Sequence, residues 1–341
     1  MNAHLTSVSP VTTEKMALFL KACADPLRLN VLQVLGHSSF GVLELSEILA
    51  IKQSGMSHHL KVLDQGGWVE KRREGNSIFY RRRLPDAAHP SAALHESVLA
   101  QLDAMPLDVT LAARFDRIQA QRAEQSKQFF ARHAGQLSGQ QELIADYPQY
   151  ADLALDLLLR QCPQGGVVVE VGPGEGQFLL ALSGHFGKVI GIDNSEALLA
   201  QAAQQLTGLS PGHVELMLGE WPDVHLSLPS VDALVFNMVL HHLPSPRAAI
   251  RAAAEQLKPG GALLITELSR HDQSWAQDAC GDIWFGFEES DLVAWAQQSG
   301  LALQESQFLA LRNGFQVQVR TFERISNDNF TLNTAQGAFL Q

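Results

Sequence analysis

The sequence predicts an α/β protein of two domains, a small helical domain with a β-hairpin followed by a larger domain of alternating strands and helices. The 341 residues suit two domains of ordinary size. Short amphipathic helices and a charged hairpin fill about the first 88 residues, whereas strands and helices alternate beyond Ser138. A hydrophobic content of 46% with 18% charged residues is typical of a packed globular chain.

Composition also narrows the class of protein. Uninterrupted apolar runs fall short of the ~20 residues that a membrane span needs, and residues 1–10 lack the layout of a secretory signal. The three cysteines, Cys23, Cys162 and Cys280, lie far apart without a C-x-x-C pair. We therefore expect a cytoplasmic protein without a membrane segment, a disulfide framework or a structural metal site.

The net charge of −11 conceals a basic segment. Between Lys52 and Arg83, eight basic residues stand against three acidic ones, a local balance of +5. An electrostatic footprint on nucleic acid is local, so this segment favours a DNA partner despite the acidic total. A solvated charged face is the alternative that charge alone leaves open.

The N-terminal pattern predicts helices followed by a hairpin. Asp25-Pro26 is a helix start, residues 42–49 and 53–64 are amphipathic, and Gly66-Gly67 ends the second of these helices. Two strand-like runs, 68–73 and 77–82, flank the turn sequence Glu74-Gly75-Asn76. Two helices joined by a short turn and followed by a basic hairpin predict a winged helix-turn-helix.

In that fold the second helix enters the major groove and the hairpin contacts phosphate or the minor groove. Side chains that hydrogen-bond base edges or phosphates are the expected contacts. The candidate DNA-binding residues are Gln53, Ser54, Ser57, His58 and Lys61 on the helix and Arg72 and Arg73 on the hairpin.

This part of the chain resembles the ArsR family of bacterial repressors. The matching stretches are residues 25–29, 53–63 and 73–80. The resemblance implies operator binding by a homodimer. It does not extend to the cysteine pair through which many members sense metals, since no cysteine lies between Cys23 and Cys162. His89, His95 and Glu96 are the alternative ligand set, but histidines on surface helices are common, and we expect no metal.

Residues 89–137 are predicted to connect the two domains. Residues 106–137 are helical in pattern and rich in Gln, Arg and Ala. The pattern leaves open whether this region takes part in a dimer or is an exposed linker. The domain that follows is expected over residues 138–324, with a polar tail at 325–341.

The second domain opens with a nucleotide-binding pattern. An apolar strand, 167–171, runs into Gly172-Pro173-Gly174-Glu175-Gly176 and a helix, and glycines allow backbone N–H groups to approach a ligand closely. The next strand ends in Asp193, about 20 residues further on, where a carboxylate accepts hydrogen bonds from ribose hydroxyls.

The kind of nucleotide follows from two residues. A dinucleotide pattern needs glycine at position 177, which is Gln177. Glu170 precedes the glycines; its carboxylate repels a pyrophosphate but attracts the ammonium and sulfonium of S-adenosylmethionine. The pattern therefore favours the methyl donor.

The following elements resemble the class I S-adenosylmethionine-dependent methyltransferases over residues 147–322, which implies a Rossmann-like domain that binds S-adenosylmethionine or S-adenosylhomocysteine. They include a late hairpin across Arg312-Asn313-Gly314 and a Pro-Gly turn at 257–261 before a strand. By this resemblance, Glu170, Gly172, Gly174 and Gly176 hold the methionine moiety, Asp193 the ribose, Glu220 and Trp221 the adenine, and Asn237 and Met238 line the donor pocket.

Methyl transfer chiefly needs a nucleophile held in line with the donor, and no acceptor site is recognisable. His241 is the candidate catalytic residue, with His242, Glu267, His271 and Asp278 as further candidates. Residues 280–287 either cap the pocket or belong to the core. The sequence favours a transcriptional repressor whose methyltransferase-fold domain binds S-adenosylmethionine or S-adenosylhomocysteine as effector. The alternative is an active methyltransferase of a small molecule, autoregulated by its DNA-binding domain; a metal sensor is the third hypothesis.

Overall fold

A computed structural model describes residues 12–74, 77–85, 91–133, 143–208 and 212–326. The chain forms two compact units, Met1–Arg122 and Ala123–Gln341. Each unit has its own elements and its own core, and each is described by itself. The predicted turn residues Gly75 and Asn76, the candidate ligand His89 and the tail from residue 327 lie outside the described ranges.

The first unit contains helices whose ends follow from the sequence. Asp25 caps the second helix, its Oδ1 accepting from the Arg28 N–H at 3.0 Å, with Pro26 in the first turn. The tight connection between the third and fourth helices includes Ala50, whose φ is 53°. The helices are α1 (Thr13–Cys23), α2 (Pro26–Leu35), α3 (Val42–Ile48), α4 (Gln53–Gln65), α5 (Ala92–Ala104) and α6 (Val109–His133).

A three-stranded antiparallel sheet forms the wing. Its strands are β1 (Phe40–Gly41), β2 (Val69–Glu74) and β3 (Ser77–Arg82), in the order β1-β3-β2. The β2 and β3 register pairs Arg72 with Phe79 and Glu74 with Ser77. The helix-turn-helix of α3 and α4 followed by this hairpin is the winged helix-turn-helix that the sequence predicts.

Trp68 is central to the core of this unit. Its side chain is fully buried, its ring stacks on Phe19 at 4.2 Å, and its Nε1 donates to the Phe19 carbonyl at 2.8 Å. The His95 ring packs edge-on against Trp68 at 4.7 Å. The tryptophan therefore fixes α1 and α5 against the start of the wing.

Helix α6 contains the boundary between the two units. Within the first unit, Leu111 and Ile118 are core residues, and Arg122 makes a bidentate pair with Glu44 at 2.8 and 2.7 Å. The sequence places the start of the second domain at Ser138, whereas the second unit begins at Ala123, inside the helix. The surface of this helix is polar along its length, so composition does not mark the boundary between the two units.

The second unit is built on a seven-stranded sheet in the order β6-β5-β4-β7-β8-β10-β9. The five strands β6, β5, β4, β7 and β8 are parallel to one another, and β10 runs antiparallel between β8 and β9. The strands are β4 (Val167–Val171), β5 (Lys188–Asp193), β6 (Val214–Leu218), β7 (Val231–Asn237), β8 (Leu257–Leu268), β9 (Leu301–Ala310) and β10 (Gln316–Arg324). The helices are α7 (Ala151–Gln161), α8 (Gln177–Ser183), α9 (Glu196–Gln205), α10 (Pro246–Gln256), α11 (Trp275–Cys280) and α12 (Glu289–Gln298), with short 3-10 turns at Tyr147–Gln149, Asp223–Ser227 and Leu240–His242.

This architecture confirms the predicted Rossmann-like domain. The central strands are nearly continuous apolar runs, as strands covered on both faces are. One element differs from the prediction: β8 begins at Leu257, so the Pro-Gly segment before Ala262 belongs to the strand, with Gly260 at a φ of 77°. Of the helices in the described ranges, none combines the length and the apolarity that crossing a membrane requires.

Candidate functional site

The outer face of α4 carries the five side chains predicted to contact DNA. Gln53, Ser54, Ser57, His58 and Lys61 are exposed, whereas Met56, Leu60 and Leu63 on the opposite face are fully buried. One face of the helix thus packs in the core while the other presents hydrogen-bonding groups to the outside, as a recognition helix must.

The two arginines of the wing point in different directions. Arg73 is exposed, but Arg72 is only 3% exposed and packs within the unit. Consecutive residues of a strand face opposite sides of the sheet, so the two guanidinium groups cannot share one surface. Arg73 is therefore the wing arginine on the solvent-exposed side of the hairpin.

The glycine loop after β4 adopts a backbone that side chains would obstruct. Gly172, Gly174 and Gly176 have φ values of 66°, 56° and 86°, the left-handed region. A Cβ on Gly172 would lie 2.3 Å from Val239 Cγ2, and one on Gly176 2.9 Å from Ala202 Cβ. Gly174 has open space at the same position, which leaves its backbone accessible to a ligand.

Asp193 ends β5 at this loop. Its Oδ1 accepts from the Ser195 N–H at 2.8 Å, and its side chain borders the cleft. Burial raises the pKa of Asp193 to about 6, against the lowering effect of backbone N–H groups of Ser195 and Gly174. At neutral pH it is an ionised acceptor.

Glu170 lies one strand over from Asp193 and is 1% exposed. Burial, reinforced by the charge of Asp193, raises the pKa of Glu170 to about 8. Its Oε2 is buried without a hydrogen-bond partner among the described residues. A buried carboxyl oxygen with no partner is costly, and a cation beside the loop would satisfy it.

A cleft lies at the carboxyl ends of β4, β5 and β7. The carboxyl ends of parallel strands are where α/β sheets bind small-molecule ligands. Of the predicted residues, Gly172, Gly174, Asp193, Glu220, Trp221 and Met238 line it, as do Ser126 and Phe130 of α6.

The adenine-side residues are held in place by hydrogen bonds. Glu220 Oε2 accepts from Asn194 Nδ2 at 2.7 Å, and burial raises the pKa of Glu220. Trp221 is 3% exposed, and its Nε1 donates to the Ala249 carbonyl at 3.1 Å. The indole nitrogen is thereby occupied, so the ring can offer a ligand only its apolar surface.

The end of β7 is strained. Met238, which lines the cleft, has a φ of 56°, a conformation that side chains disfavour. Asn237 does not border the cleft; its Oδ1 is buried and lacks a hydrogen-bond partner in the described part of the chain. Glu170 and Gly176 likewise are not among the described residues that line the cleft.

His241 forms a buried pair with Glu267 of β8. Its Nδ1 lies 2.6 and 2.8 Å from the two carboxyl oxygens. Burial lowers the pKa of His241 to about 3 and raises the pKa of Glu267, so the buried pair is held without net charge. The imidazole is 3% exposed and does not border the cleft.

His242 and Asp282 complete this cluster. The two histidine rings have centroids 4.0 Å apart, and Asp282 Oδ1 is 3.8 Å from His241 Nε2 and 3.9 Å from His242 Nδ1. All three side chains are buried, and His242 borders the cleft. The sequence points to both histidines but not to Asp282, because 40 residues, including strand β8, separate it from His242.

The remaining candidates lie elsewhere. His271 stacks on Phe285 at 5.4 Å, and the Asp278 side chain is outside the described part of the structure. His95 is buried beside Trp68, whereas its neighbour Glu96 is exposed. In segment 280–287, Trp284, Phe285 and Phe287 are 1–2% exposed, and the Ile283 and Trp284 N–H groups donate to the His241 carbonyl, so core packing accounts for this segment.

Comparison with known families agrees with both halves. The arsR family of bacterial regulatory proteins matches residues 25–71, and a methyltransferase domain family matches residues 143–306. The fold and the cleft define an α/β protein with an N-terminal helix-turn-helix region and a class I methyltransferase fold. Residues 25–71 are thus similar to the arsR-family regulators, and residues 143–306 to a methyltransferase domain.

Individual relatives match the second half. A ubiquinone biosynthesis O-methyltransferase of Stutzerimonas stutzeri is 28% identical over 160 residues, which are 41% of this chain and 66% of the relative. The same-named protein of Xanthomonas campestris is 30% identical over 156 residues, 41% of this chain and 64% of the relative. The chain thus spans somewhat less than two thirds of their length.

Among solved structures, the 1,6-didemethyltoxoflavin-N1-methyltransferase of Burkholderia thailandensis, determined with S-adenosylhomocysteine, superposes with a TM-score of 0.50. It is 15% identical, and the match covers 65% of this chain and 93% of that one. At this identity the likeness establishes the fold.

Proposed function

We propose that the protein is a DNA-binding transcriptional regulator whose methyltransferase-fold domain binds S-adenosylmethionine or S-adenosylhomocysteine as effector. The observation that carries the ligand assignment is the pair of buried carboxyls, Glu170 and Asp193, at the ends of adjacent parallel strands around a left-handed glycine loop. Glu170 supplies an unsatisfied acceptor for the ammonium of the methionine moiety, and Asp193 an acceptor for ribose hydroxyls.

The effector role is supported by helix α6. Its later residues Ser126 and Phe130 border the cleft, with Ser126 Oγ donating to the His242 carbonyl at 3.3 Å. Its earlier residues belong to the core of the helix-turn-helix unit, where Arg122 holds Glu44 of α3. A ligand that changes the position of this helix in the cleft therefore has a route to change the DNA-binding unit.

The test is operator affinity with and without saturating ligand, measured by fluorescence anisotropy. We expect each effective metabolite to change affinity about 5–150-fold, and operator to change ligand affinity by the same factor, because linkage is reciprocal. Asp193→Ala should fold and bind operator yet fail to respond at ligand concentrations that change the wild type. Unchanged wild-type affinity with both metabolites would refute the effector role.

The alternative function is an active methyltransferase of a small-molecule acceptor, autoregulated by its ArsR-type domain. The relatives that are O-methyltransferases favour it, and His241 is the candidate catalytic residue that the sequence supplies for it. It predicts more than one turnover per protein with a suitable acceptor and no effect of ligand on operator affinity.

DNA recognition should separate into two kinds of contact. We expect Arg73→Ala to weaken binding about equally on all sequences and to lower the salt-dependence slope by about 1, because it removes one phosphate contact. Gln53→Ala or Ser57→Ala should reduce discrimination between operator and random DNA by about 1–3 kcal/mol. Lys21→Ala, at an exposed lysine of α1, is the control. A salt slope that Arg73→Ala leaves unchanged would contradict the wing assignment.

Ligand affinity should depend on the ionisation of Asp193. The carboxylate accepts ribose hydrogen bonds above its pKa of about 6 and loses that capacity as pH falls. We therefore expect the affinity advantage of wild type over Asp193→Asn for S-adenosylhomocysteine to shrink about tenfold between pH 7 and pH 5. Isothermal titration calorimetry at both pH values measures it. A constant ratio would show that Asp193 does not bind the ribose.

A homodimer is part of the proposal. Leu18 of α1 and Leu94 of α5 are apolar side chains that are 47% and 37% exposed and that a second copy would cover. Light scattering of Leu18→Glu against wild type tests it: the proposal expects a dimer for the wild type and a monomer for the variant.

A further inference from the structure

We propose that His241, His242 and Asp282 form a binding site for a divalent transition-metal ion of the zinc type, beside the ligand cleft. One potential ligand atom from each residue lies within 4.8 Å of the other two. Asp282 Oδ1 itself lies 3.8 Å from His241 Nε2 and 3.9 Å from Nδ1 of the His242 ring. Ligands of a tetrahedral zinc ion stand about 3.4 Å apart, so small side-chain rotations would bring the atoms to bonding positions.

The surroundings of the histidines match those of metal ligands. A ligating imidazole typically gives its other nitrogen to a carboxylate or a backbone carbonyl, which fixes the ring. His241 Nδ1 faces both oxygens of Glu267, which leaves Nε2 toward Asp282. His242 Nδ1 lies 3.3 Å from the Gly281 carbonyl, which leaves Nε2 as the nitrogen for a metal ion. Nε2 is buried without a hydrogen-bond partner among the described residues, and the His242 side chain is 6% exposed. This unsatisfied nitrogen is the independent observation that points to a bound ligand.

The chemistry of the set selects the ion. Two imidazoles and one carboxylate suit zinc and its first-row neighbours, whereas magnesium and calcium prefer oxygen alone. Three protein ligands leave a fourth position open, as in catalytic zinc sites. Since His242 borders the cleft, a metal ion would have both an entry path and a place for water or a ligand atom.

The sequence predicts no metal site, because it has no C-x-x-C spacing and because the histidines of its N-terminal part are typical of surface helices. The cluster arises in the second unit, from a 3-10 turn after β7 and a loop after α11. It does not depend on the effector role, because the ion binds to protein side chains without the methyl donor.

The test uses metal-stripped full-length protein titrated with CoCl₂, followed by calorimetry and visible absorption. We expect the wild type to bind one equivalent of Co²⁺ with strong visible absorption. Asp282→Asn and His242→Gln should lose this absorption and bind Co²⁺ at least 100-fold more weakly. Glu267→Gln, which changes the group behind His241, should weaken binding about 10–100-fold. His213→Gln is the matched control, since both ring nitrogens of His213 lie against backbone carbonyls.

A second measurement needs no variant. Wild-type protein is loaded with one equivalent of zinc and examined by X-ray absorption at the zinc edge. The proposal expects scattering from two imidazoles and from oxygen ligands. Equal cobalt binding by wild type and by folded Asp282→Asn would overturn it, as would a zinc spectrum without two imidazoles. Titration with S-adenosylhomocysteine on the same samples keeps the outcome separate from that of the proposed function.

Discussion

Glu170→Gln should make the ligand-free protein more stable at pH 7 by about 3 kcal/mol, while weakening binding of S-adenosylmethionine about 10–150-fold above pH 8. In the native state the pKa of Glu170 is about 8, above the value of 4.5 in an unfolded chain. Its contribution to stability is therefore fully present below about pH 4.5 and lost as pH rises to about 8. Glutamine removes this cost because it does not ionise.

The affinity loss has a separate cause. The carboxylate would make a charge-assisted hydrogen bond to the ligand ammonium, and such a bond contributes about 1.5–3 kcal/mol. Urea unfolding at pH 5 and pH 8 and calorimetric titration measure the two effects. Glu175→Gln, in the same loop, is the control. If Glu170→Gln neither stabilises the protein at pH 8 nor lowers affinity, the assignment of Glu170 to the methionine moiety fails.

Trp68→Ala should destabilise the helix-turn-helix unit by about 3–5 kcal/mol and abolish operator binding. The substitution leaves a cavity where a fully buried indole stacks on Phe19, and it removes the hydrogen bond to the Phe19 carbonyl. Ligand binding in the second unit should persist, since the described residues that line its cleft all belong to that unit.

Trp275→Ala is the matched control for this loss. Its side chain is 37% exposed and lies in the second unit, so DNA binding should not change. Chemical denaturation monitored by circular dichroism, together with anisotropy on operator DNA, compares the two variants. Retention of operator binding by Trp68→Ala would show that the wing and α1 do not depend on this contact.

Local patterns in the chain were enough to predict both folds. The Asp25-Pro26 cap, the Gly66-Gly67 stop and the alternation in the wing each act within a few residues, and the structure confirms the elements they predict. The glycine loop between β4 and α8 was also predictable from the sequence, because the left-handed backbone there requires glycine.

Features that depend on distant residues were not predictable in this way. Asp282 joins His241 only through the packing of a loop against the end of β7. The burial of Arg72, by contrast, was predictable from the sequence, since strand alternation places only one of two consecutive arginines on the solvent side. The unit boundary within α6 follows from contacts of individual side chains that no compositional change marks.

The raised pKa of Glu170 also affects the enthalpy of ligand binding that calorimetry records. At pH 7 a carboxyl with a pKa of about 8 is mostly protonated, and a cationic ligand that needs its anion must expel that proton. Ligand capture would then release close to one proton into the medium. The apparent enthalpy should consequently vary with the ionisation heat of the buffer, and acidification of the medium should itself oppose ligand uptake.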